Sequence, residues 1–553
     1  MARGRHRGWR EDMRLDMGNR RTTPCHFGID DAQFVELDPA NFIPLPPPYD
    51  KLETEPGMKK LSAQQQAKYE CGLDGISAVM FPRLECDVEK RILIGKFLSG
   101  LKKLFNAEDN WTFLQPLFLT MEYCARCQTC SEACPIFNES GQVEIYRPTY
   151  RAEVLRRLYK KYVKTGGAFL AKVSGNEIEV TWNLVARLLE LSYRCTICRR
   201  CGQACPIGID NGLATREIRK LFSQELGIAP KQLHDQGTVQ HLLKGSSTGM
   251  NRSGFLDNVE FMENEIHEVA GFDFKWPIDK TGADILLLHN AGEYLAWPEN
   301  PEAFAIILEA AGISYTLSSE LLGYDGVNYG VWYDDMQLAR VAVRHAEIAR
   351  KLGVKKIVIG ECGHAHKALT VIADRILTGD LNIPRESSLT LLNEIVKSGK
   401  LKLDPSRNAD MHVTLHDPCN MVRLMGIVRP QREIVKAICP NFREMTPHGV
   451  ENYCCGGGSG FAIMPNLNFP DWRHNVAGRA KLRQILNVFQ EIIGPEHKKF
   501  VCAPCSNCKG QLRELFSAYG LFERCNILYG GLAELIVNAM PETKAPFLKW
   551  EWR

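Results

Sequence analysis

The sequence predicts an α+β multidomain protein, in which a small α-helical domain precedes two similar α/β halves with parallel sheets. At 553 residues the chain is too long for one hydrophobic core, and ordinary domain sizes suggest about three or four units. Amphipathic helical patterns and clustered cysteines occupy residues 111–230, whereas strand-like and helical runs alternate over residues 281–540. The two regions therefore belong to different domain types.

Residues 1–110 are predicted to be an N-terminal extension that docks on a partner or on the next domain. Pro44–Pro48 is a proline-rich connector, and Asp87–Leu104 has apolar residues at helical spacing. The first 21 residues carry seven arginines. No apolar core follows Arg20 and Arg21, so this segment is interpreted as a solvated arm and not as a secretory signal. Docking on an acidic surface is the alternative.

Residues 111–230 are predicted to form the helical domain. Tyr150–Val163 and Thr181–Tyr193 both have apolar residues three and four positions apart, which is typical of amphipathic helices. Residues 231–280 are rich in Gly, Ser and Asn, and this composition indicates a long connection over the surface.

Residues 281–540 contain continuous apolar runs separated by helical patterns, which indicates parallel sheets covered on both faces. The predicted strands are Asp284–Leu288, Ile313–Leu317, Lys355–Ile359, His412–Leu415 and Phe500–Val501. The helices between them include Ala303–Ala311, Met336–Leu352 and Ala480–Ile493.

This region also repeats itself. Three segments of the first part have counterparts in the second, namely Leu288–Gly292 with Leu415–Cys419, Gly323–Gly326 with Asn452–Gly456, and Gly360–His364 with Ala503–Asn507. The repeat predicts a first half at 281–410 and a second half at 411–540, related by a pseudo-twofold axis. Residues 541–553 are then an aromatic tail, which either docks on another subunit or packs back onto the body.

Composition excludes several classes of function. The apolar fraction of 45% and charged fraction of 24% are those of folded protein, and a net charge of +3 does not favour a nucleic-acid partner. No stretch reaches the roughly 18 apolar residues that cross a bilayer, so we expect any membrane association to come through a partner. Thirteen of the twenty cysteines have cluster-ligand spacings, which fits a reducing compartment better than a disulfide scaffold.

Two four-cysteine motifs match the bacterial ferredoxin run, in which a proline follows the fourth cysteine. They comprise Cys124, Cys127, Cys130 and Cys134, and Cys195, Cys198, Cys201 and Cys205. Because the fourth cysteine of such a run ligates the other cluster, one [4Fe-4S] cubane is predicted to take Cys205 and the second to take Cys134. A pair of zinc sites is the alternative, but zinc motifs favour two separated cysteine pairs.

Five further cysteines arrive on three loops near the C-terminus, namely Cys419, Cys454, Cys455, Cys505 and Cys508. Five thiolates are more than a tetrahedral zinc or an ordinary cubane takes from one chain, so they indicate an unusual iron-sulfur centre. Cys419 and Cys505 follow predicted strands, at the carboxyl ends where open α/β sheets bind ligands. Structural zinc or buried core thiols are the alternatives.

Cys502 leaves the last ligand pair open, because both Cys502-x2-Cys505 and Cys505-x2-Cys508 have a suitable spacing. We favour the second pair, since Pro504 then precedes its first cysteine just as Pro418 precedes Cys419.

The order of these motifs on one chain resembles the heterodisulfide reductase D family over about residues 115–540. The resemblance implies a ferredoxin-type domain with two [4Fe-4S] cubanes, followed by a tandem CCG domain with a noncubane [4Fe-4S] centre that cleaves or forms sulfur-sulfur bonds. Gly292, Asp325 and Gly326 stand where the ligands of a second noncubane centre would be, so three clusters are predicted. Cys362 alone remains of that set and would line the pocket.

Within the family, the degenerate first half and long N-terminal extension resemble the DsrK-type catalytic subunit of the membrane complex of dissimilatory sulfite reduction. This implies electrons from a membrane cytochrome b-type, quinol-oxidising subunit, and a disulfide or trisulfide on a small sulfur-carrier protein as substrate. The chain would be cytoplasmic and peripheral on the inner face of the cell membrane, held there by the other subunits of a transmembrane redox complex.

Reduction of a sulfur-sulfur bond also needs protons. His416 lies three residues before Cys419 and is a candidate proton donor, as are His364 and His366 in the first half. The competing enzyme hypothesis is an iron-sulfur subunit that relays electrons from a flavin-dependent 2-hydroxyacid or glycerol-phosphate dehydrogenase. The chain has no Gly-x-Gly-x-x-Gly after a strand, so that role requires a separate flavin subunit.

Overall fold

A computed structural model describes residues 35–70, 73–174, 177–271, 273–544 and 546–550. The predicted arm at residues 1–21, Cys25, Cys71 and residues 551–553 lie outside the described residues. Two large hydrophobic cores organise the described chain, one beneath the helical domain and one shared by the two α/β halves. The predicted combination of helices and parallel sheets is confirmed.

The N-terminal extension lies over both cores. It contains helices α1 (Ala63–Lys68) and α2 (Asp87–Leu104), and the second has the predicted bounds. Phe97 and Leu101 of α2 are buried against the helical domain. Tyr49, just after the proline-rich connector, packs edge-on against Tyr519 in the other core, with ring centroids 5.2 Å apart.

The helical domain consists of eight helices around its cysteine motifs. They are α3 (Leu114–Tyr123), α4 (Thr129–Glu132), α5 (Pro135–Glu139), α6 (Pro148–Tyr162), α7 (Gly167–Val173), α8 (Trp182–Ser192), α9 (Arg200–Ala204) and α10 (Asn211–Leu221). Helices α6 and α8 confirm the two amphipathic predictions. A π-helix, Phe222–Leu226, continues α10.

Residues 231–280 are not the irregular connection that their composition predicted. They form a π-helix at His234–Val239, α11 (Gln240–Lys244) and the 19-residue α12 (Arg252–Ala270). Phe255, Val259, Met262 and Ile266 recur along α12 and are buried in the core of the α/β halves. The prediction was wrong because Gly, Ser and Asn around this stripe concealed its helical period. No helix among the described residues is long and apolar enough to cross a membrane.

The first half contains a four-stranded parallel sheet of order β2-β1-β3-β4. Its strands are β1 (Ile285–Leu288), β2 (Tyr315–Thr316), β3 (Lys356–Ile359) and β4 (Arg385–Ser387). Its helices are α13 (Ala291–Ala296), α14 (Glu299–Ala310), α15 (Asp335–Leu352), α16 (Gly363–His366) and α17 (Ser388–Lys397), and a π-helix, Lys367–Ile372, extends α16.

The second half contains a three-stranded parallel sheet of order β5-β6-β7. The strands are β5 (Met411–Leu415), β6 (Lys498–Cys502) and β7 (Ile527–Gly530), and a π-helix, Asn420–Leu424, follows Cys419. The helices are α18 (Pro430–Ile438), α19 (Phe469–Trp472), α20 (Arg479–Val488), α21 (Ser506–Tyr519), α22 (Leu521–Cys525) and α23 (Leu532–Asn538). Val413 of β5 forms a parallel bridge with Phe442. Phe442 thus takes the position beside β5 that β2 takes beside β1, so both halves share one strand order.

The described part of the aromatic tail packs back onto the second half. Phe547 is buried in the shared core, and the Trp550 indole N–H donates to the Asn526 side-chain oxygen at 2.7 Å.

A buried ion network joins the helical domain to the first half. Asp335, at the start of α15, contacts the Arg216 guanidinium at 2.5 Å and the Lys220 ammonium at 3.0 Å. Glu217 pairs with both cations, and Thr112 donates a hydrogen bond to Asp335. Against the effect of burial, Arg216 and Lys220 hold the pKa of Asp335 below its ordinary 3.8. The network fixes the helical domain relative to the cleft described below.

We predict that Asp335→Ala lowers the free energy of unfolding by about 3 kcal/mol near pH 7, because it leaves buried cations short of a partner. The exposed pair of Lys498 and Asp410 gives the control, since Asp410→Ala should cost less than about 1 kcal/mol. Urea denaturation followed by fluorescence measures both. Since the folded-state pKa of Asp335 is lowered, the difference should persist above pH 4 and shrink as pH falls below it. Equal losses in both variants would contradict the role of the network.

Candidate metal centre and active site

The two four-cysteine loops share one backbone shape. The residues on either side of Cys127 have φ of 55° and 66°, and those on either side of Cys198 have φ of 49° and 61°. These left-handed values are unfavourable for residues other than glycine, above all for the β-branched Ile197 before Cys198. Both loops therefore adopt the same costly turn, as expected if each wraps a ligand of the same shape.

The fourth cysteine of each motif lies beside the other motif. Burial, with smaller contributions from the charges of Cys198 and Cys195, raises the pKa of Cys134 to about 12. Burial likewise raises the pKa of Cys124, and the charge of Cys205 adds to the effect. The short helices α4 and α9 pack against each other. This placement suits ligands that cross between motifs, although the ligand sets themselves stay a prediction.

The two cysteine groups differ in their surroundings. Cys127 is exposed, so the group of Cys124, Cys127, Cys130 and Cys205 reaches the protein surface. In the second group, Cys195 accepts hydrogen bonds from the Arg151 guanidinium at 3.2 Å and from the Ile197 backbone N–H at 3.4 Å. Hydrogen bonds to sulfur raise the reduction potential of a bound cluster. The two groups thus form an outer and an inner site.

The five C-terminal thiols meet at the carboxyl ends of β5 and β6. Cys419 follows β5, Cys505 is the N-cap of α21, Cys508 lies in the first turn of α21, and Cys454 and Cys455 come from the loop before α19. Their side chains are in hydrogen-bonding contact in the order Cys419, Cys454, Cys455, Cys508, Cys505. The hydrogen bonds from Cys419 and Cys455 hold the pKa of Cys454 well below its ordinary value, which favours the thiolate that binds metal.

The glycine run after Cys455 lets this loop approach its neighbours. Gly456 has φ of 97°, and a Cβ on it would lie 2.6 Å from the Gly478 backbone. A Cβ on Gly458 would lie 2.7 Å from the carbonyl oxygen of Thr196 in the second ferredoxin motif. Any side chain at either position would push the thiols out of their arrangement.

Cys502 lies apart from the five thiols. It ends β6 and is surrounded by Glu361, Cys439 and Glu534, whose charges add to the effect of burial in raising its pKa. The structure therefore brings Cys508, and not Cys502, into contact with Cys455.

His416 lies beside the five thiols, within 4.8 Å of Cys455 and Cys508 at its ligating nitrogen. It is fully buried, and burial together with the charge of Lys481 lowers its pKa to about 3. Within the described residues neither ring nitrogen has a hydrogen-bond partner. The ring is thus neutral near pH 7 and can donate an N–H to a cysteine sulfur, while its part in proton transfer stays a prediction.

A small cleft with a volume of about 20 Å³ opens onto four of the five thiols. The second half contributes Cys419, Cys455, Cys505 and Cys508 to its lining. The first half contributes Trp332, His364 and Lys367, and the helical domain contributes Thr196 and Ile197. Burial lowers the pKa of Lys367 to about 7 and that of His364 to about 4. No sequence pattern points to Trp332 or Lys367, because only the folded chain brings them to the thiols.

In the first half, hydrogen-bonded side chains occupy the positions where the ligands of a second noncubane centre would be. Asp325, which stands where a ligand would be, accepts from the Ser247 and Ala291 backbone N–H groups at 2.7 and 3.1 Å. Cys362 is buried next to Cys505, and the Gly363 N–H donates to the Cys505 sulfur at 3.3 Å. His366 is held by the Cys362 carbonyl and Ser387, both at 2.8 Å, away from the cleft lining.

The inner ferredoxin loop touches the five-thiol site directly. The hydrogen bond to Cys454 and burial raise the pKa of Cys419, and the nearby charge of Cys198 adds to the effect. Burial raises the pKa of Cys198 in turn, with a contribution from the charge of Cys454. The Arg423 guanidinium donates to the Cys198 carbonyl at 2.8 Å. The soft donor set and the backbone N–H groups aimed at sulfur fit iron-sulfur clusters at all three sites.

Comparison with known proteins agrees with this geometry. A 4Fe-4S dicluster domain matches residues 120–209, and a cysteine-rich CCG domain matches residues 413–513. An Hdr-like menaquinol oxidoreductase iron-sulfur subunit of Archaeoglobus profundus is 27% identical over 62% of this chain and 67% of its own. The D-type subunit of the dihydromethanophenazine:CoB–CoM heterodisulfide reductase of Methanosarcina acetivorans is 23% identical over 72% of this chain and 89% of its own. This chain is thus similar to heterodisulfide reductase D-type iron-sulfur proteins.

Not all of the similar proteins are heterodisulfide reductases by name. An EtfAB:quinone oxidoreductase of Syntrophomonas wolfei is 24% identical over 64% of this chain and 50% of its own. The same modules therefore occur in oxidoreductases with different electron donors.

We predict that Cys508→Ser lowers the iron content by about four of about twelve atoms, because one thiol of the contact series is lost. Cys502→Ser is the matched control, since that thiol lies three residues before Cys505 but outside the series. Iron assay and Mössbauer spectroscopy of the anaerobically purified proteins measure the loss. Iron loss in Cys502→Ser with full iron in Cys508→Ser would reverse the assignment.

Proposed function

We propose that this chain is a catalytic iron-sulfur subunit of the DsrK type. It receives electrons through two [4Fe-4S] cubanes, passes them to a noncubane [4Fe-4S] centre at the five C-terminal thiols, and reduces a disulfide or trisulfide on a small sulfur-carrier protein. The proposed setting is dissimilatory sulfur metabolism, on the inner face of the cell membrane. A cytochrome b-type, quinol-oxidising subunit would supply the electrons within a transmembrane redox complex.

One observation carries the proposal. The five-thiol site is in contact with the inner ferredoxin loop on one side, through a side-chain hydrogen bond between Thr196 and Cys454, and with the cleft on the other. The three cysteine groups thus lie in series. The first reaches the protein surface, the second is the inner group, and the third faces the cleft. Bound at these groups, iron-sulfur clusters supply one-electron transfer toward the cleft.

The residues of the cleft suit a sulfur substrate. Trp332 and Ile197 provide apolar surface that excludes water, and Trp332 and His364 pack with ring centroids 4.9 Å apart. Lys367, which is 1% exposed, places an ammonium or amine in the same lining, where it can stabilise a thiolate leaving group. Reducing one sulfur-sulfur bond takes two electrons and two protons and yields two thiols.

We predict that the oxidised protein develops a paramagnetic signal when mixed with a thiol substrate, distinct from that of the reduced cubanes. The signal should be lost in Cys455→Ala, because the central thiol of the contact series is removed. Cys439→Ala is the control, since that buried thiol lies in the core away from the series and should leave the signal intact. EPR at low temperature measures it. A signal that survives in Cys455→Ala would refute the proposed site.

The second candidate is an electron-transfer subunit for a flavoprotein dehydrogenase, which the similarity to an EtfAB:quinone oxidoreductase favours. The two functions differ in their partners. A tightly bound flavoprotein that reduces the clusters of this chain on purification, together with no turnover of disulfides or trisulfides, would support the second candidate.

A further inference from the structure

A second, larger cavity lies near the five-thiol site. Its volume is about 400 Å³, and exposed residues such as Ala296 and Glu523 line it, so it opens to solvent. We refer to it as the outer cavity. Helix α21 borders both spaces, since Asn507 lines the cleft and Arg513 lines the outer cavity. One helix therefore separates solvent in the outer cavity from the thiols.

Carboxyl groups extend from the outer cavity into the protein. Glu299, Glu302 and Glu534 line the cavity, and Glu534 is only 1% exposed. A Cβ on Gly531 would collide with the carboxylates of Glu534 and Glu361, so the two side chains converge at that point. Within the described residues, neither oxygen of Glu534 and only one oxygen of Glu361 has a hydrogen-bond partner. These are buried polar atoms with capacity left to bind a proton or water.

Two sets of contacts place these acids next to the five-thiol site. The Lys509 ammonium lies 3.5 Å from both Glu534 and Glu293, and Glu293 accepts from the Asn290 backbone N–H at 3.2 Å. The Asn290 side-chain amide donates to the Ser506 hydroxyl at 2.9 Å. In the second set, the backbone carbonyl of Glu361 accepts from the Ser506 N–H at 2.6 Å, which holds Glu361 next to the start of α21. Both end beside Cys505.

Three of these carboxyl groups, those of Glu299, Glu302 and Glu361, have pKa values raised into the pH range of ordinary turnover. Burial and the charge of Glu534 raise the pKa of Glu361 to about 8. Burial and the charge of Glu299 likewise raise the pKa of Glu302 to about 8. Burial and Glu534 raise the pKa of Glu299 to about 7. The charged and titratable groups that face them are Glu265, His289, Glu293, Cys502, Lys509, Arg513, Glu523, Tyr529, Glu534 and Lys549.

We propose that Glu302, Glu299, Glu534 and Glu361 carry protons from the outer cavity to the Cys505 end of the cleft. This deepens the proposed function and rests on it. Each sulfur-sulfur bond that is cleaved takes up two electrons and two protons and releases two thiols, with the electrons arriving through the helical domain. The carboxyl series supplies the protons from the other side, so that the electron and proton routes meet at the thiols.

The first test measures turnover of a short peptide with an intramolecular disulfide, with reduced benzyl viologen as electron donor. We expect Glu361→Gln and Glu302→Gln to lower turnover at pH 7 by about tenfold or more, because an amide cannot release a proton. In the unaltered protein, turnover should fall as pH rises through 8, where these carboxyls lose their protons. Glu523→Gln, at the exposed rim of the outer cavity, is the matched control and should keep both rate and pH profile.

The second test needs no turnover. In infrared spectra of the full iron-loaded protein at pH 7, we expect a carboxyl C=O band that shifts in D2O, weakens in Glu302→Gln or Glu361→Gln, and persists in Glu523→Gln. If Glu361→Gln fails to fold, Glu302→Gln still tests the route, because Glu302 lies at the outer cavity, away from the thiols. An unaltered protein without this band, or variants with unchanged turnover and pH profile, would overturn the proton route. The band with its predicted losses, in a protein that reduces no sulfur-sulfur bond, would support the route and refute the proposed function.

Discussion

The contact between the second ferredoxin loop and the CCG loop is the constraint on which the site depends. Electron transfer requires the inner cysteine group to lie close to the five thiols, and Cys198 meets that requirement. Arg423 reaches across to the Cys198 carbonyl, and the glycine run gives the close backbone approach at Thr196. Buried ion pairs such as that of Arg216 and Asp335 hold the domains in this arrangement. The position of the catalytic thiols is thus set by an interface between domains.

The sequence predicts local features well and long-range placement poorly. Helices α2, α6 and α8 carry clear apolar periods, and β1 and β3 are mostly apolar runs, so both kinds were found. Strands β4 and β7 were not predicted, and β4 has no apolar residue to mark it. The cysteine spacings mark the thiols of the site but leave the choice between Cys502 and Cys508 open. The cleft wall at Trp332 and Lys367 depends on packing between domains, which no local pattern records.

The first half does not repeat the cysteine ligands of the second half, and its residues support the neighbouring five-thiol site instead. Asp325 takes a ligand position and satisfies backbone N–H groups there, which an emptied cluster site would leave buried without partners. Gly363, in the loop equivalent to the one that carries Cys505, instead donates a hydrogen bond to the Cys505 sulfur. His364 and Lys367, which come after Gly363 in the sequence, also line the cleft. The same strand order thus gives a ligand loop in one half and a wall of the cleft in the other.

The buried carboxyls near Gly531 are costly for stability, and this cost indicates that they are present for function. Burying Glu361 beside Glu534 opposes the ionisation of Glu361, and Lys509 offsets several neighbouring acids. A core selected for stability alone would place apolar side chains at these positions, since α14 and α23 otherwise pack through apolar residues. A reaction that consumes protons next to buried thiols requires titratable groups between them and solvent. If the electrons approach through the helical domain, as proposed, the interface between the two halves is left for the protons.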